Sequence, residues 1–127
     1  MKTAILTVGT EILFGQIVNT NAAYLSRELN NLGFDVMYHY SVGDNPKRLL
    51  ELIHLAFRDC DMIITTGGLG PTQDDLTKET VCEALNDKLV ENAAYRGQRY
   101  GYGSFKEPLQ KIRETYDRKQ SKTGLYA

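Results

Sequence analysis

The run MIITTGGLGPTQDDLT, residues 62–77, decides the fold. Its first five residues, Met62–Thr66, are apolar or β-branched, the pattern of a strand buried on both faces of a parallel sheet. Three glycines within four positions then break the strand, and two aspartates open a helical stretch from about Asp74 to Leu85. Buried strand, glycine loop and helix form the repeating unit of an α/β sheet. Ligands of such sheets sit beyond the carboxyl ends of the strands.

Outward from this stretch the same grammar continues. Thr3 to Val8 (TAILTV) is another buried run, ended by Gly9. A loop, GTEILFGQIVNTN (9–21), follows. Asn19 or Asn21 suits the N-cap of a helix whose apolar face is Ala22, Leu25, Leu29 and Leu32, and Gly33 fits its left-handed end. FDVMYHYSV (34–42) alternates as a further strand. Asp44 or Asn45 caps the next helix, and Pro46 takes its first position. The core face of that helix is Leu49, Leu50, Ile53, Ala56 and Phe57, and the last helix buries Leu76, Val81, Ala84 and Leu85. Strand and helix thus alternate three times, which predicts an α/β domain with a mostly parallel, doubly wound sheet. The strand ends release three loops, 9–21, 43–45 and 67–75, carrying Glu11, Asp44, Asp74 and Asp75.

The glycine loop fits neither familiar phosphate motif. A dinucleotide fingerprint needs a third glycine where Gln73 stands, and no lysine follows Gly70 as a Walker loop requires. The general mechanism remains: glycines admit close backbone approach, and free N–H groups at a helix start attract anions. Gly9, Gly67, Gly68 and Gly70 are therefore candidate phosphate contacts, and Thr10, Thr66 and Thr72 offer hydroxyls. Asn19 and Asn21 are candidate ligand contacts or plain caps. Asp74 either caps the helix or takes part in chemistry. Asp75 and Glu11 are expected at one sheet edge, where two carboxylates would repel phosphate unless a hard cation lay between them. Mg²⁺ held by Asp75 and Glu11 is the expected cofactor. His39 and His54 lack metal-ligand spacing, and zinc, haem and flavin are not expected.

Composition narrows the classes further. The 127 residues are 42% hydrophobic and 24% charged, with a net charge of -1, which argues against wholesale capture by nucleic acid or an anionic membrane. Cys60 and Cys82 read as free thiols of a reducing compartment. No signal peptide or membrane-spanning run is recognisable, so a cytoplasmic location is expected.

Three separated stretches, VGTEILFGQIVNTNAAYLS (8–26), SVGDN (41–45) and TTGGLGPTQDDLTKET (65–80), occur in order and resemble a known family. They are similar to the N-terminal domains of competence/damage-inducible, CinA-type proteins, within the wider molybdopterin-binding family that includes MogA, MoaB and MoeA. The resemblance covers about residues 1–92. It implies a three-layer α/β sandwich of the molybdopterin-binding type, binding a nucleotide or pterin that carries phosphate. It also implies a homo-oligomer, dimer or trimer. In adenylyltransferases of the family, the aspartate matching Asp75 is essential for Mg²⁺-dependent transfer onto the pterin phosphate. The acid matching Glu11 stands in the equivalent first loop. CinA-type domains look instead like metal-dependent pyrophosphatases acting on ADP-ribose, with Asp74 and Glu11 both candidates for the water-activating base. Full-length relatives carry a deamidase in a second domain that this sequence lacks, so deamidation is not expected.

Past Asn92 the resemblance fades to RKQ (118–120) and TGL (123–125), and the fold is expected to be shortened at its C-terminus. Residues 1–92 hold 7 Lys+Arg against 13 Asp+Glu, whereas residues 93–127 hold 8 against 3 and five of the eight tyrosines. The second part therefore reads as a basic, Tyr-rich loop (94–104) and then a helix with Phe105, Leu109, Ile112 and Tyr116 on its apolar face. A solvated helix face is preferred there over stacking on single-stranded nucleic acid. Three functions compete. One is Mg²⁺-dependent cleavage of a nucleotide diphosphate such as ADP-ribose, with pterin adenylylation its near relative. The others are a catalytically silent binding module and an interaction module acting through the tail.

Overall fold

A computed structural model describes residues 1–70, 72–87, 113–115, 117 and 118. In chain order the elements are β1 (Lys2–Val8), α1 (Thr10–Leu13), α2 (Thr20–Asn31), β2 (Asp35–Val42), α3 (Pro46–Asp59), β3 (Met62–Thr66) and α4 (Thr77–Leu85). The strands are parallel and lie in the order β2-β1-β3. The chain steps from β1 to β2 and then crosses back past β1 to β3. Right-handed crossovers therefore put α2 on one face and α3 on the other. The expected three layers are present.

β1 lies at the centre, and from Thr3 to Val8 it is buried throughout. One face sends Ile5 against Ala22, Leu25, Leu29 and Phe34 under α2. The other sends Leu6 and Val8 against Val42, Leu49 and Ile53 under α3, joined by Val81 and Ala84 of α4. Each such aliphatic side chain contributes about 1.5–3 kcal/mol through removal from water. This double burial explains the unbroken apolar run in the sequence.

The regular alternation expected for residues 34–42 is interrupted. Thr3 pairs with Val36, but Ala4 pairs with Tyr38, so Met37 is the extra residue of a β-bulge. The two-residue period restarts there: Val36 packs with the α2 cluster, whereas Tyr40 and Val42 belong to the α3 side. Met37 is left 51% exposed. The bulge also puts His39 on the α2 face, where its Nε2 lies 2.6 Å from the Ser26 hydroxyl.

Caps separate the alternatives left open by the sequence. Asn19, not Asn21, caps α2 by accepting from the Ala22 N–H at 3.2 Å. Asn45, not Asp44, caps α3 by accepting from the Arg48 N–H at 3.1 Å, with Pro46 in the first position. Gly33 follows α2 with φ +78°, as expected of a left-handed terminus. Leu49, Ile53 and Ala56 form the buried stripe of α3, while Leu50 is half-buried and Phe57, at the stripe's edge, is 46% exposed.

Two expectations are corrected. The first loop contains a helical turn, α1. The last helix begins at Thr77 rather than near Asp74; it buries Thr77 and Thr80, half-buries Val81 and Ala84, and leaves Leu85 exposed. The expected tail helix face of Phe105, Leu109, Ile112 and Tyr116 lies outside the described residues. Residues 113–115, 117 and 118 are helical, and Arg113 donates to the Leu32 carbonyl at 2.5 Å while standing 5.8 Å from the Phe34 ring centre. A cation there complements the negative C-terminal end of α2. Among the described residues, no helix is long and apolar enough to cross a membrane.

The bulge makes a direct prediction. Met37→Thr should change unfolding free energy by no more than about 0.5 kcal/mol, as at other open surface positions. Ile5→Ala, in the core beneath α2, should cost about 2–5 kcal/mol. Urea denaturation measures both.

Candidate functional site

The connections leaving β1 and β3 diverge, one toward α2 and β2, the other toward α4. Open parallel sheets bind ligands at such a divergence. A cavity of about 130 Å³ opens there. Thr7, Thr66 and Gly67 come from the strand ends, and Asn19, Thr20 and Asn21 from the start of α2. Ile12, Ile17 and Val18 supply an apolar wall, and Glu11 of α1 is the one charged side chain among the described lining residues.

The floor is built by pairing. Thr7 and Thr66 are register partners on adjacent strands, so their side chains share the α2 face, with the two hydroxyl oxygens 3.5 Å apart. Asn19 donates from Nδ2 to Thr7 Oγ1 at 2.9 Å while its Oδ1 caps α2. One amide thus joins the sheet end to the helix start and sets the distance between them. The N-terminal end of α2, with its partial positive charge, faces the cavity.

The glycine loop has a steric origin. Gly67 has φ +85°, and a Cβ there would run into the Val8 carbonyl oxygen; Gly68 has φ +65°, and a Cβ would run into Thr77 Oγ1. Thr77 is almost wholly buried; its hydroxyl donates to the Gly67 carbonyl at 2.8 Å and its N–H to the Gly68 carbonyl at 3.2 Å. The loop is therefore folded down onto the beginning of α4.

Asp74 and Asp75 precede that helix, within a turn. Asp75 Oδ2 accepts the Thr72 hydroxyl at 2.5 Å and the Thr72 N–H at 3.1 Å. Chiefly through the hydroxyl and then the N–H of Thr72, these bonds hold the carboxyl below its usual range against an opposing desolvation, with lesser help from the Gly70 N–H and Lys78. Asp75 is thus an ionised hard-oxygen donor at neutral pH. Thr10 is engaged elsewhere: its hydroxyl donates to Asp44 Oδ2 at 3.1 Å and accepts the Asp44 N–H at 3.2 Å. The Gly9 N–H is used by the Val42 carbonyl at 2.9 Å.

The cavity therefore gathers Glu11, Asn19, Asn21, Thr66 and Gly67 of the residues singled out from sequence. Gly9, Thr10, Gly68, Gly70, Thr72, Asp74 and Asp75 stand outside its lining. Sequence reading missed Thr7, Thr20 and the apolar wall. It also missed Thr77, although a threonine ten residues after a glycine turn carries no signal of its own. Among the described residues no group of three or more His, Cys, Asp or Glu side chains could hold a metal ion. Any cation would rest on one or two carboxylates and its ligand's own oxygens.

A parallel sheet between helical layers, with a loop-built cavity at the β1/β3 divergence, defines an α/β ligand-binding domain. Residues 4–117 match the family described as "Probable molybdopterin binding domain", and the chain belongs to it. That match runs past Asn92, where the sequence motifs fade. A CinA-like protein of Dictyoglomus turgidum is 50% identical over 119 residues, 94% of this chain but 26% of the relative. The chain thus spans about a quarter of that protein's length. The crystal structure of a CinA protein of unknown function from Thermoplasma acidophilum has a TM-score of 0.68 at 33% identity, covering 73% of this chain and 55% of that one. The molybdopterin biosynthesis enzyme MoaB of Thermus thermophilus gives 0.61 at 27% identity, covering 65% and 53%.

Two outcomes are expected. Gly67→Ala should lower stability by about 1–3 kcal/mol, from positive-φ strain with the steric conflict added, measured by chemical denaturation. Thr72→Val should raise the Asp75 pKa toward the ordinary aspartate value of about 4, followed by carboxyl carbon NMR. Since the folded value is depressed, these bonds contribute stability above the unfolded pKa, and the contribution is lost as pH falls through the folded one. The variant's stability should therefore vary less with pH in that acidic window.

Proposed function

We infer that the domain binds a phosphorylated nucleotide or pterin at the β1/β3 cavity and, with Mg²⁺, hydrolyses a nucleotide diphosphate such as ADP-ribose. The observation that carries this reading is the cavity itself. Hydroxyl, amide and glycine groups line one side, aliphatic side chains the other, and the start of α2 faces in. Such a pocket suits a ligand with an anionic end and a less polar body. Sites for drug-sized ligands occupy about 300–1,000 Å³. A cavity of about 130 Å³ therefore takes the phosphate portion, leaving the remainder over the exposed loops.

Glu11 opposes an anion unless its charge is balanced, and no Lys or Arg lies in the described lining. Two hard oxygen donors support this reading: Glu11 in the cavity lining, and Asp75, outside it, in the loop after β3. Bound Mg²⁺, held by Glu11 and Asp75, would supply neutralisation of the diphosphate charge. Asn19, Thr7 and Thr66 orient the phosphate oxygens. A water oxygen attacks one phosphorus in line with the bridging oxygen, and the bond from that phosphorus to the bridge breaks. The bridging oxygen leaves with the other phosphate, and a Glu11 oxygen takes the water's proton. For ADP-ribose the products are AMP and ribose 5-phosphate. Asp74 stands outside the lining that Glu11 joins, so Glu11 is the better-placed base.

The test is a thermal melt with ADP-ribose, with and without Mg²⁺, followed by chromatographic detection of AMP. A midpoint raised only by the pair, with AMP formation that Glu11→Gln slows by about 10²–10⁴-fold, is expected. Stabilisation without AMP would leave a silent binding module. A midpoint that no nucleotide moves, but a pterin phosphate does, would favour the biosynthetic relatives' chemistry.

A further inference from the structure

The cavity lies at the carboxyl ends of the strands. At the opposite pole of the sheet a second set of groups gathers around the end of α2. Phe34 immediately precedes β2, so its backbone lies at the amino ends of the parallel strands. There the chain's own N–H groups turn back into α2: Gly33 donates to the Asn30 carbonyl at 3.0 Å and Phe34 to the Leu29 carbonyl at 2.9 Å. The Leu32 carbonyl accepts instead from Arg113 Nη1 at 2.5 Å, across 81 positions of chain. The guanidinium carbon stands 5.8 Å from the centre of the Phe34 ring, and that side chain is only 2% exposed. Arg113 Nε lies 3.5 Å from Asp117 Oδ2, one turn further along the same helical segment. Gly33, at φ +78°, leaves the space, for a Cβ there would run into Nη1 and Cζ of Arg113.

We propose that the carboxyl end of α2 is a guanidinium-binding site, filled in this chain by its own Arg113, which latches the helical residues around it to the body of the domain. The end of a helix carries partial negative charge and carbonyls without intrahelical donors. The Phe34 ring face attracts a cation placed within about 6 Å. The bare backbone of Gly33 admits a flat group beside it. Carbonyl and carboxylate take different nitrogens of one planar fork, a geometry that a lysine ammonium, as a point charge, does not reproduce. The charge balance has the same sense: residues 1–92 hold 7 Lys+Arg against 13 Asp+Glu, and residues 93–127 hold 8 against 3. This site is independent of the cavity and of the ligand bound there.

Methylguanidinium and methylammonium are titrated at constant ionic strength into the full chain and its Arg113→Ala variant, with NMR at the Leu32 carbonyl carbon and the Phe34 ring. In Arg113→Ala, methylguanidinium should produce saturable shifts at both, with a midpoint of about 10 mM, as befits so small a ligand. Methylammonium should produce none that saturate. The unaltered protein, its site already filled, should respond only at concentrations about tenfold higher or more. Amide hydrogen exchange at Asp117 and Arg118 should be about tenfold faster in Arg113→Ala, one charge-assisted bond having been lost, while Ile5 and Leu6 of β1 stay protected. Shifts that never saturate in Arg113→Ala would overturn the proposal, because no site would exist. Equal responses to the two cations would overturn it too, because charge alone would then be read. Unchanged exchange at Asp117 and Arg118 would remove the latch. Should Arg113→Ala lose protection in β1 as well, Arg113→Lys carries the test with the charge retained. Faster exchange at the two amides then supports a need for the guanidinium, and unchanged exchange overturns it.

Discussion

The structure depends on the burial of β1. Ala4, Ile5 and Leu6 have no exposed surface, and opposite faces of the strand feed two separate cores. A strand so placed needs a parallel neighbour on each side and a helical layer on each face. The return of the chain across it then follows from right-handed connection. The divergence between the β1 and β3 exits is a consequence of that path, and the cavity lies there. Adjacent parallel exits also crowd one another. Gly67 passes the Val8 carbonyl so closely that any side chain would collide. Gly67 is thus first a requirement of strand adjacency, whereas Gly68 is required by the close approach of Thr77 at the start of α4.

This ordering shows why the fold was legible in the sequence and the site only partly so. Strands and helices announce themselves through apolar period, and TAILTV, MIITT and the Ala22–Leu25–Leu29 stripe needed no tertiary information. Met37 was invisible because a bulge is a relation between two strands, and its own strand still looks alternating. The start of α4 was misplaced because Asp74 and Asp75 have the composition of a helix entrance, whereas Asp75 is used to close a turn on Thr72. Asn19 was ambiguous between cap and ligand group, and the fold gives it the cap together with a bond to Thr7. Thr7 itself was hidden in a strand pattern. Hydroxyls at strand ends acquire meaning only once register makes them neighbours.

The two acidic loops divide the electrostatic work. Glu11 sits at the cavity with no basic side chain in the described lining, while Asp75 is kept ionised by local hydrogen bonds in a neighbouring turn. Neither is buried, so water screens Glu11 at the cavity and Asp75 in its turn alike.

The floor and the rim are consequently held by different means. Thr7, Thr66 and Asn19 are anchored in the sheet and the cap of a twelve-residue helix, so the floor inherits the stability of the core. The rim hangs on α1, four residues with no buried side chain, steadied by contacts with the loop after β2. Phe14 and Val18 flank the rim at 71% and 83% exposure, so no packed layer of the described residues covers them. The floor is thus stiff, and the acid above it is held by few contacts. The two hydrogen bonds between Thr10 and Asp44 join that short helix to the loop after β2, whereas the floor is joined to the core.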